Sequence, residues 1–298
     1  MKVGTSLALR AYKAIPFKMQ FFNLARGRYT PPPKARYFLR PVGAFDVSVG
    51  GSTFRMFSHG ERNEADLYWC GWGNGWEATS LKLWQALVPG ARTIFDVGAY
   101  TGMFALGAKA LNRSADVHAF EPLRRNFERL AQNVSLNEFT VIAQEAAVSD
   151  EDGTVTFWAS TDENAKSSSI EQSKLDHGTI PVEVNKVAME SYCEKNKIAW
   201  PDLLKIDVEL HEPAVFRGMG RILTDRRPPM IVEVLRPAVA AELTQIITGL
   251  GYEIYMIDEK RGLTRSEVVR SHGGGNYNVL LCQPEISQRI GIEQFMVR

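Results

Sequence analysis

Ten residues constrain this chain more than any others: Thr93-Ile94-Phe95-Asp96-Val97-Gly98-Ala99-Tyr100-Thr101-Gly102. A short apolar run ends on an aspartate, and glycines punctuate the turn after it. An apolar pattern of helical spacing then begins with Met103, Phe104, Leu106 and Leu111. The pattern is strand, tight turn, helix. A continuously apolar strand is one buried on both faces, as in a parallel sheet covered by helices. Gly98 and Gly102 lack Cβ, so the backbone can turn sharply and a ligand can approach closely. The start of the next helix offers unpaired N–H groups to that ligand.

A second signal stands further along the chain. Asp116-Val117-His118-Ala119-Phe120 reads as the next strand, and Glu121-Pro122 ends it. An acidic residue closing the second strand of a βαβ unit is placed to accept hydrogen bonds from ribose hydroxyls. The phosphate-binding spacing G-x-G-x-x-G is absent, and Asp-x-Gly-x-x-x-Gly stands instead. An aspartate in that loop suits a cationic ligand better than a pyrophosphate. S-adenosylmethionine fits, with its ammonium, sulfonium and ribose diol and no phosphate. Its expected contacts are Asp96, Gly98, Ala99, Tyr100, Thr101 and Gly102 of the loop, Glu121 and Pro122 of the second strand, and Ala146 and Ala147 beside the adenine. Glu77 and Asp207 complete the expected set.

The remaining chain reads as further strands and helices in alternation. Phe45–Val49 and Thr53–Phe57 flank Gly50-Gly51 as a hairpin beside the main domain. Residues 66–77, with three Trp and three Gly, read as a loop, either an aromatic lid or a packing segment. Val141–Val148 reads as the third strand, Thr154–Ala159 and Pro181–Val187 as appended strands, and 160–180 as a polar mobile loop over the substrate. A strand opening at Leu203 and strands at 229–234, 252–257 and 277–282 come next, the last two pairing antiparallel. The predicted fold is α/β: a doubly wound, mostly parallel Rossmann-like sheet, with an N-terminal basic arm and a β-hairpin. The predicted divisions are a basic arm at 1–40, the hairpin and aromatic loop at 41–77, the main domain at 78–284 and a tail at 285–298.

Charge is uneven along the 298 residues. Residues 1–40 carry nine Lys or Arg and no Asp or Glu, leaving 26 basic against 34 acidic residues, a balance of −8, for the rest. An acidic body argues against a nucleic-acid partner. The arm suggests a peripheral membrane contact, but Pro16 interrupts its apolar face, and a helix packed on the body or on another copy of the chain is the favoured reading. Cys70, Cys193 and Cys282 are odd in number and far apart. They indicate neither a disulfide framework nor a zinc site, which suits a cytoplasmic location.

Leu203-Leu204-Lys205-Ile206-Asp207-Val208-Glu209-Leu210-His211-Glu212 is the second chemical centre, a strand releasing four ionisable groups at its carboxyl end, where open α/β sheets bind ligands. Together with Phe95–Gly102 and Ala119-Phe120-Glu121-Pro122, this run resembles the FkbM-type family of S-adenosylmethionine-dependent methyltransferases, over about residues 75 to 283. The resemblance implies a seven-stranded sheet with an antiparallel seventh strand. It also implies O-methylation of sugars, glycolipids or polyketide-type natural products. The family usually has glycine after the Asp-Val-Glu run; here Leu210 and His211 stand between Glu209 and Glu212.

A neutral alcohol accepts a methyl group better as its proton leaves. His211 or Asp207 is the expected base, oriented by Glu209, with Glu212 and Glu233 toward the acceptor, a small molecule or saccharide. No resident metal is expected, because pairing of these acids with Lys205 and Arg217 or with substrate hydroxyls is the favoured reading. Three other functions compete. A scaffold that binds the cofactor without catalysis is the main alternative. A nicotinamide-dependent oxidoreductase lacks its third glycine. An RNA methyltransferase has only the basic arm in its favour.

Overall fold

The computed structural model describes residues 18–36, 38–160, 179–271 and 278–297. The predicted loop at 160–180 and the glycine run at 273–275 lie almost wholly outside these, as does the arm before Lys18. In chain order the elements begin with α1 (Lys18–Ala25), α2 (Pro33–Arg36), β1 (Gly43–Val49), β2 (Ser52–Ser58), α3 (Arg62–Cys70) and α4 (Ala78–Leu87). Then come β3 (Thr93–Val97), α5 (Met103–Leu111), β4 (Asp116–Phe120), α6 (Arg124–Ser135), β5 (Ile142–Gln144), β6 (Ala147–Ser149), β7 (Gly153–Ser160) and β8 (Thr179–Ala188). The rest are α7 (Met189–Asn196), β9 (Leu203–Ile206), α8 (Glu212–Gly218), β10 (Met230–Glu233), α9 (Pro237–Ile247), β11 (Glu253–Asp258), β12 (Gly262–Ser266), β13 (Asn278–Cys282) and α10 (Pro284–Arg289).

The central sheet runs β12-β11-β13-β10-β9-β3-β4-β5. The pairs from β10 through β9, β3 and β4 to β5 are parallel. β13 inserts antiparallel between β10 and β11. These seven strands make the predicted doubly wound sheet. The eighth, β12, pairs antiparallel with β11.

Alternate residues of the apolar strands face opposite layers. Ile94, Leu203 and Ile231 join a core with Leu83, Trp84 and Phe104 of α4 and α5. Their neighbours Phe95, Leu204 and Met230 join a second core with Tyr192, Phe216 and Leu243 of α7, α8 and α9. A side-chain period of two, buried on both sides, is why these runs read as continuously apolar. Among the described residues no helix is long and apolar enough to cross a membrane.

The structure corrects two expectations. Val141–Val148 is two strands: β5 ends the central sheet, while β6 opens a separate sheet ordered β6-β8-β7. Glu145 and Ala146 break it. Asp66–Cys70 is the end of α3 rather than loop. Glu64 caps that helix, its Oε2 accepting from the backbone N–H groups of His59 (2.7 Å) and Glu61 (3.1 Å), a capping-box arrangement. The tail also packs inward: Ile290 and Ile292 share one core with Phe22 of α1 and Phe45 of the hairpin. Phe22 meets Trp69 edge-on at 5.1 Å, so α1 is seated on the body.

Candidate active site

The strand register brings the chemistry together. Asp96 lies beside Lys205, and Gly98 and Ala99 donate N–H bonds to Phe120 O at 3.0 and 2.9 Å. Asp207 donates its N–H to Val97 O at 2.9 Å. Val232 pairs with Ile206, which sets Glu233 next to Asp207. All these residues end parallel strands at one edge of the sheet.

A cavity of about 250 Å³ opens there. Gly98, Tyr100, Glu121, Pro122, Ala146, Ala147, Asp207, Glu209, His211 and Glu233 of the expected set line it. Asn63, Trp76, Leu123, Arg125, Asn126 and Phe157 line it as well. Trp76 comes from the aromatic and glycine-rich stretch at 66–77, Leu123 from the turn after Glu121, and the others from helix faces and the appended sheet, whose approach no local motif announced. Glu121 is 5% exposed. Its Oε2 accepts from Tyr100 N–H at 3.0 Å, and its Oε1 from Leu123 N–H at 3.0 Å and Asn126 Nδ2 at 3.3 Å. The carboxylate is therefore fixed in orientation at the cavity wall.

Gly98 has φ +80°, and a Cβ there would fall 1.8 Å from Asp207 O. Two strand ends touch through this residue. Gly98→Ala is expected to destabilise the fold by about 2–3 kcal/mol or more, combining left-handed strain with a backbone clash. A chemical denaturation curve checks it; an unchanged midpoint would contradict the packing described.

Other expected contacts sit behind the wall. Asp96 is 2% exposed, and its Oδ2 accepts Ala105 N–H at 2.9 Å. It anchors the first turn of α5 and is not among the residues that line the cavity. Ala99, Thr101 and Gly102 are buried. A Cβ at Gly102 would meet Leu130 Cδ1 at 2.5 Å, so that glycine serves helix packing. Glu212 is corrected as an acceptor contact: it is fully buried, and its Oε1 takes Leu210 N–H at 3.2 Å. That bond holds a strained corner, because Glu209 and Leu210 have φ of +52° and +81°. Left-handed φ in non-glycine residues costs of order 1 kcal/mol or more each.

Lys205 is the hub. It is 1% exposed, with Nζ 3.5 Å from Asp207 Oδ2 and 3.5 Å from Asn278 Oδ1. Burial opposes its charge, but the carboxylates of Asp207, Glu77, Glu233 and Asp96 together raise its pKa. Glu77, Asp207 and Glu233 place carboxylate oxygens within 4.8 Å of one another, a spacing that also suits a divalent cation; Lys205 is the cation the chain itself supplies. Arg217 pairs elsewhere, with Glu242 at 2.5 Å. His211 Nε2 lies 2.9 Å from Ser149 Oγ, which also bonds Asp150 Oδ1 at 2.9 Å. With the one hydroxyl proton directed to Asp150, His211 Nε2 donates.

Burial raises Glu64, Glu77, Asp96, Glu121 and Glu212 to about 7. It holds Glu233 well above the usual carboxylate range, reinforced by the Asp207 charge. A carboxyl with a raised folded pKa stabilises the fold fully below its unfolded value, and that contribution is lost as pH rises through the folded value. His118, lowered to about 4 by burial, acts in the opposite sense as pH falls below 6.5. The carboxyls outnumber it, so the thermal midpoint is expected to drop by roughly 5 °C or more between pH 5.5 and 8. A scan that rises over this window would contradict it.

The model of the methyltransferase FkbM domain matches residues 96–254, more than half of the chain. This chain belongs to the FkbM methyltransferase family. The FkbM match runs from the end of β3 to the start of β11 and contains Asp96, Glu121, Asp207 and Glu233. The 31-O-demethyl-FK506 methyltransferase FkbM of Streptomyces tacrolimicus is 28% identical over 188 residues, covering 54% of this chain and 72% of that protein. Among solved structures, the methyltransferase FkbM from Methylobacillus flagellatus KT is 14% identical with a TM-score of 0.44, over 64% of this chain and 43% of its own length. This chain thus spans less than half of that protein. A SAM-dependent methyltransferase from Agrobacterium tumefaciens is 12% identical with a TM-score of 0.45, over 82% of this chain and 71% of that one.

Proposed function

We propose that this chain transfers the methyl group of S-adenosylmethionine to a hydroxyl oxygen of a sugar, glycolipid or natural product. One observation carries the reading: Glu121, Asp207, Glu209 and Glu233 all line the cavity, and Glu121 is held in orientation by three hydrogen bonds. A sulfonium and an ammonium suit that field, whereas a pyrophosphate does not. The residues present therefore fit this cofactor. Glu121 would hold the ribose diol, Pro122, Leu123 and Phe157 the adenine, and Gly98 the close approach of backbone to ligand. The cofactor supplies an activated methyl group on sulfur.

The chain's own part is alignment and proton acceptance. Asp207 sits at the cavity wall with its side chain 25% exposed, steadied by Lys205; it takes the hydroxyl proton. Glu233 lines both this cavity and a neighbouring groove; it orients the acceptor between them. The strained Glu209–Leu210 corner supports a working site over an inert scaffold, because strain of this kind persists where function uses it. The test is release of S-adenosylhomocysteine from S-adenosylmethionine in a screen of hydroxyl acceptors, with the product mapped by mass spectrometry. Turnover with a methyl ether in the product supports the reading. Methyl transfer to nitrogen or carbon only would overturn it.

A further inference from the structure

A second concavity of about 1520 Å³ adjoins the first, and the two share Trp76 and Glu233. We propose that this groove binds an anionic polyhydroxylated acceptor, a saccharide bearing carboxylate, phosphate or sulfate groups, through Arg62, Lys82, Lys260 and Arg261. The inference rests on the methyl-transfer reading and names the acceptor class.

The groove contains acids and bases in similar number, yet they are not equivalent. Its acids are engaged. Glu259 Oε2 accepts from the N–H groups of Thr79 and Ser80 at 2.9 and 3.1 Å, and its Oε1 accepts from Asn278 Nδ2 at 3.1 Å. Asp258 Oδ1 takes the N–H groups of Lys260 and Arg261 at 2.9 and 3.0 Å. Asp66 pairs with Arg36 at 2.8 Å. Glu77 and Glu233 interact electrostatically with the buried Lys205.

The four cations are different. All are exposed and line the same groove. Among the described residues none forms an ion pair, although five acids share the groove with them. They also converge from three places: the first turn of α3, the middle of α4 and the β11–β12 turn. Arg62 stands where the helix dipole disfavours a cation, so its charge does not serve α3. The stem of Lys82 lies against Gly73, at φ +68°, where a Cβ would meet Lys82 Cγ at 3.0 Å. Trp76 offers an amphipathic face at the junction with the cofactor cavity. A ligand satisfying this groove is anionic along one wall and presents a hydroxyl at Trp76 and Glu233. A nucleic acid shares the charge, but the acidic balance of the body beyond residue 40 opposes it.

The test is calorimetric titration of the full chain, with and without S-adenosylhomocysteine, using hexagalacturonate and its neutral counterpart maltohexaose. Hexagalacturonate is expected to bind about tenfold or more tightly than maltohexaose at low salt, with the difference shrinking at high salt. Arg62→Glu combined with Lys260→Glu is expected to remove that difference, and the milder Arg62→Gln with Lys260→Gln to reduce it, while affinity for S-adenosylhomocysteine stays unchanged. Equal affinities, no binding of hexagalacturonate, variants without effect, or tighter binding of a single-stranded RNA 12-mer would each overturn the proposal. Failure to bind S-adenosylhomocysteine would instead count against the methyl-transfer reading, since the comparison of the two oligosaccharides is also made without it.

Discussion

Replacing Lys205 with methionine is expected to lower the free energy of unfolding by about 3–5 kcal/mol, because removing one partner of a buried charge cluster leaves the others uncompensated. Lys205 is 1% exposed and faces Asp207, Glu77, Glu233 and Asp96. Methionine matches its stem and supplies no charge. Protonation is the only relief left to the carboxyls, so the loss is expected to be larger at pH 8 than at pH 5.5. Denaturant unfolding at both pH values measures this. The double variant Lys205→Met, Glu233→Gln removes one of the stranded acids and is expected to regain part of the loss. A variant as stable as the parent at pH 8 would show that the cluster carries little net charge.

Asp207→Asn is expected to lower kcat by about 10²–10⁴, the range for removing a positioned base. The substitution keeps shape and the strand-end N–H bond to Val97, so affinity for the cofactor is expected to change only a few-fold. His211→Ala is the contrasting case. Its Nε2 is committed to Ser149 at 2.9 Å, and a loss under about tenfold is expected from reorientation alone. Rates of S-adenosylhomocysteine release with the first acceptor found to turn over compare the two. The reverse ranking would move the proton to His211.

The strands and the loops after them were legible because burial on both faces leaves a continuous apolar run, and because a strand that ends on an acid at a glycine turn has few alternatives. Glu121 and Asp207 are at the cavity for that reason. The misread positions share a different cause. Asp96 and Glu212 look alike in sequence to acids that face ligands, but each accepts a nearby backbone N–H instead, and no sequence period encodes that choice. Lys205 did leave a mark, as a lone charge inside Leu-Leu-Lys-Ile, but three of its four carboxylate partners come from other segments of the chain. β12 is a short edge strand with only Gly262 and Leu263 buried, too polar to stand out from the turn before it. The four groove cations come from three elements that meet only in the fold.

The most direct measurement is calorimetric titration with S-adenosylhomocysteine of the parent protein, Glu121→Ala and Asp96→Ala. The parent is expected to bind at micromolar affinity. Glu121→Ala is expected to lose at least about 3 kcal/mol, over a hundredfold, because a buried receptor for two hydroxyls is gone. Asp96→Ala is expected to weaken binding mainly through a loosened α5, with a matching drop in thermal midpoint. A folded parent that does not bind, or a Glu121→Ala protein that binds as tightly as the parent, would contradict the assignment of this cavity to the methyl donor.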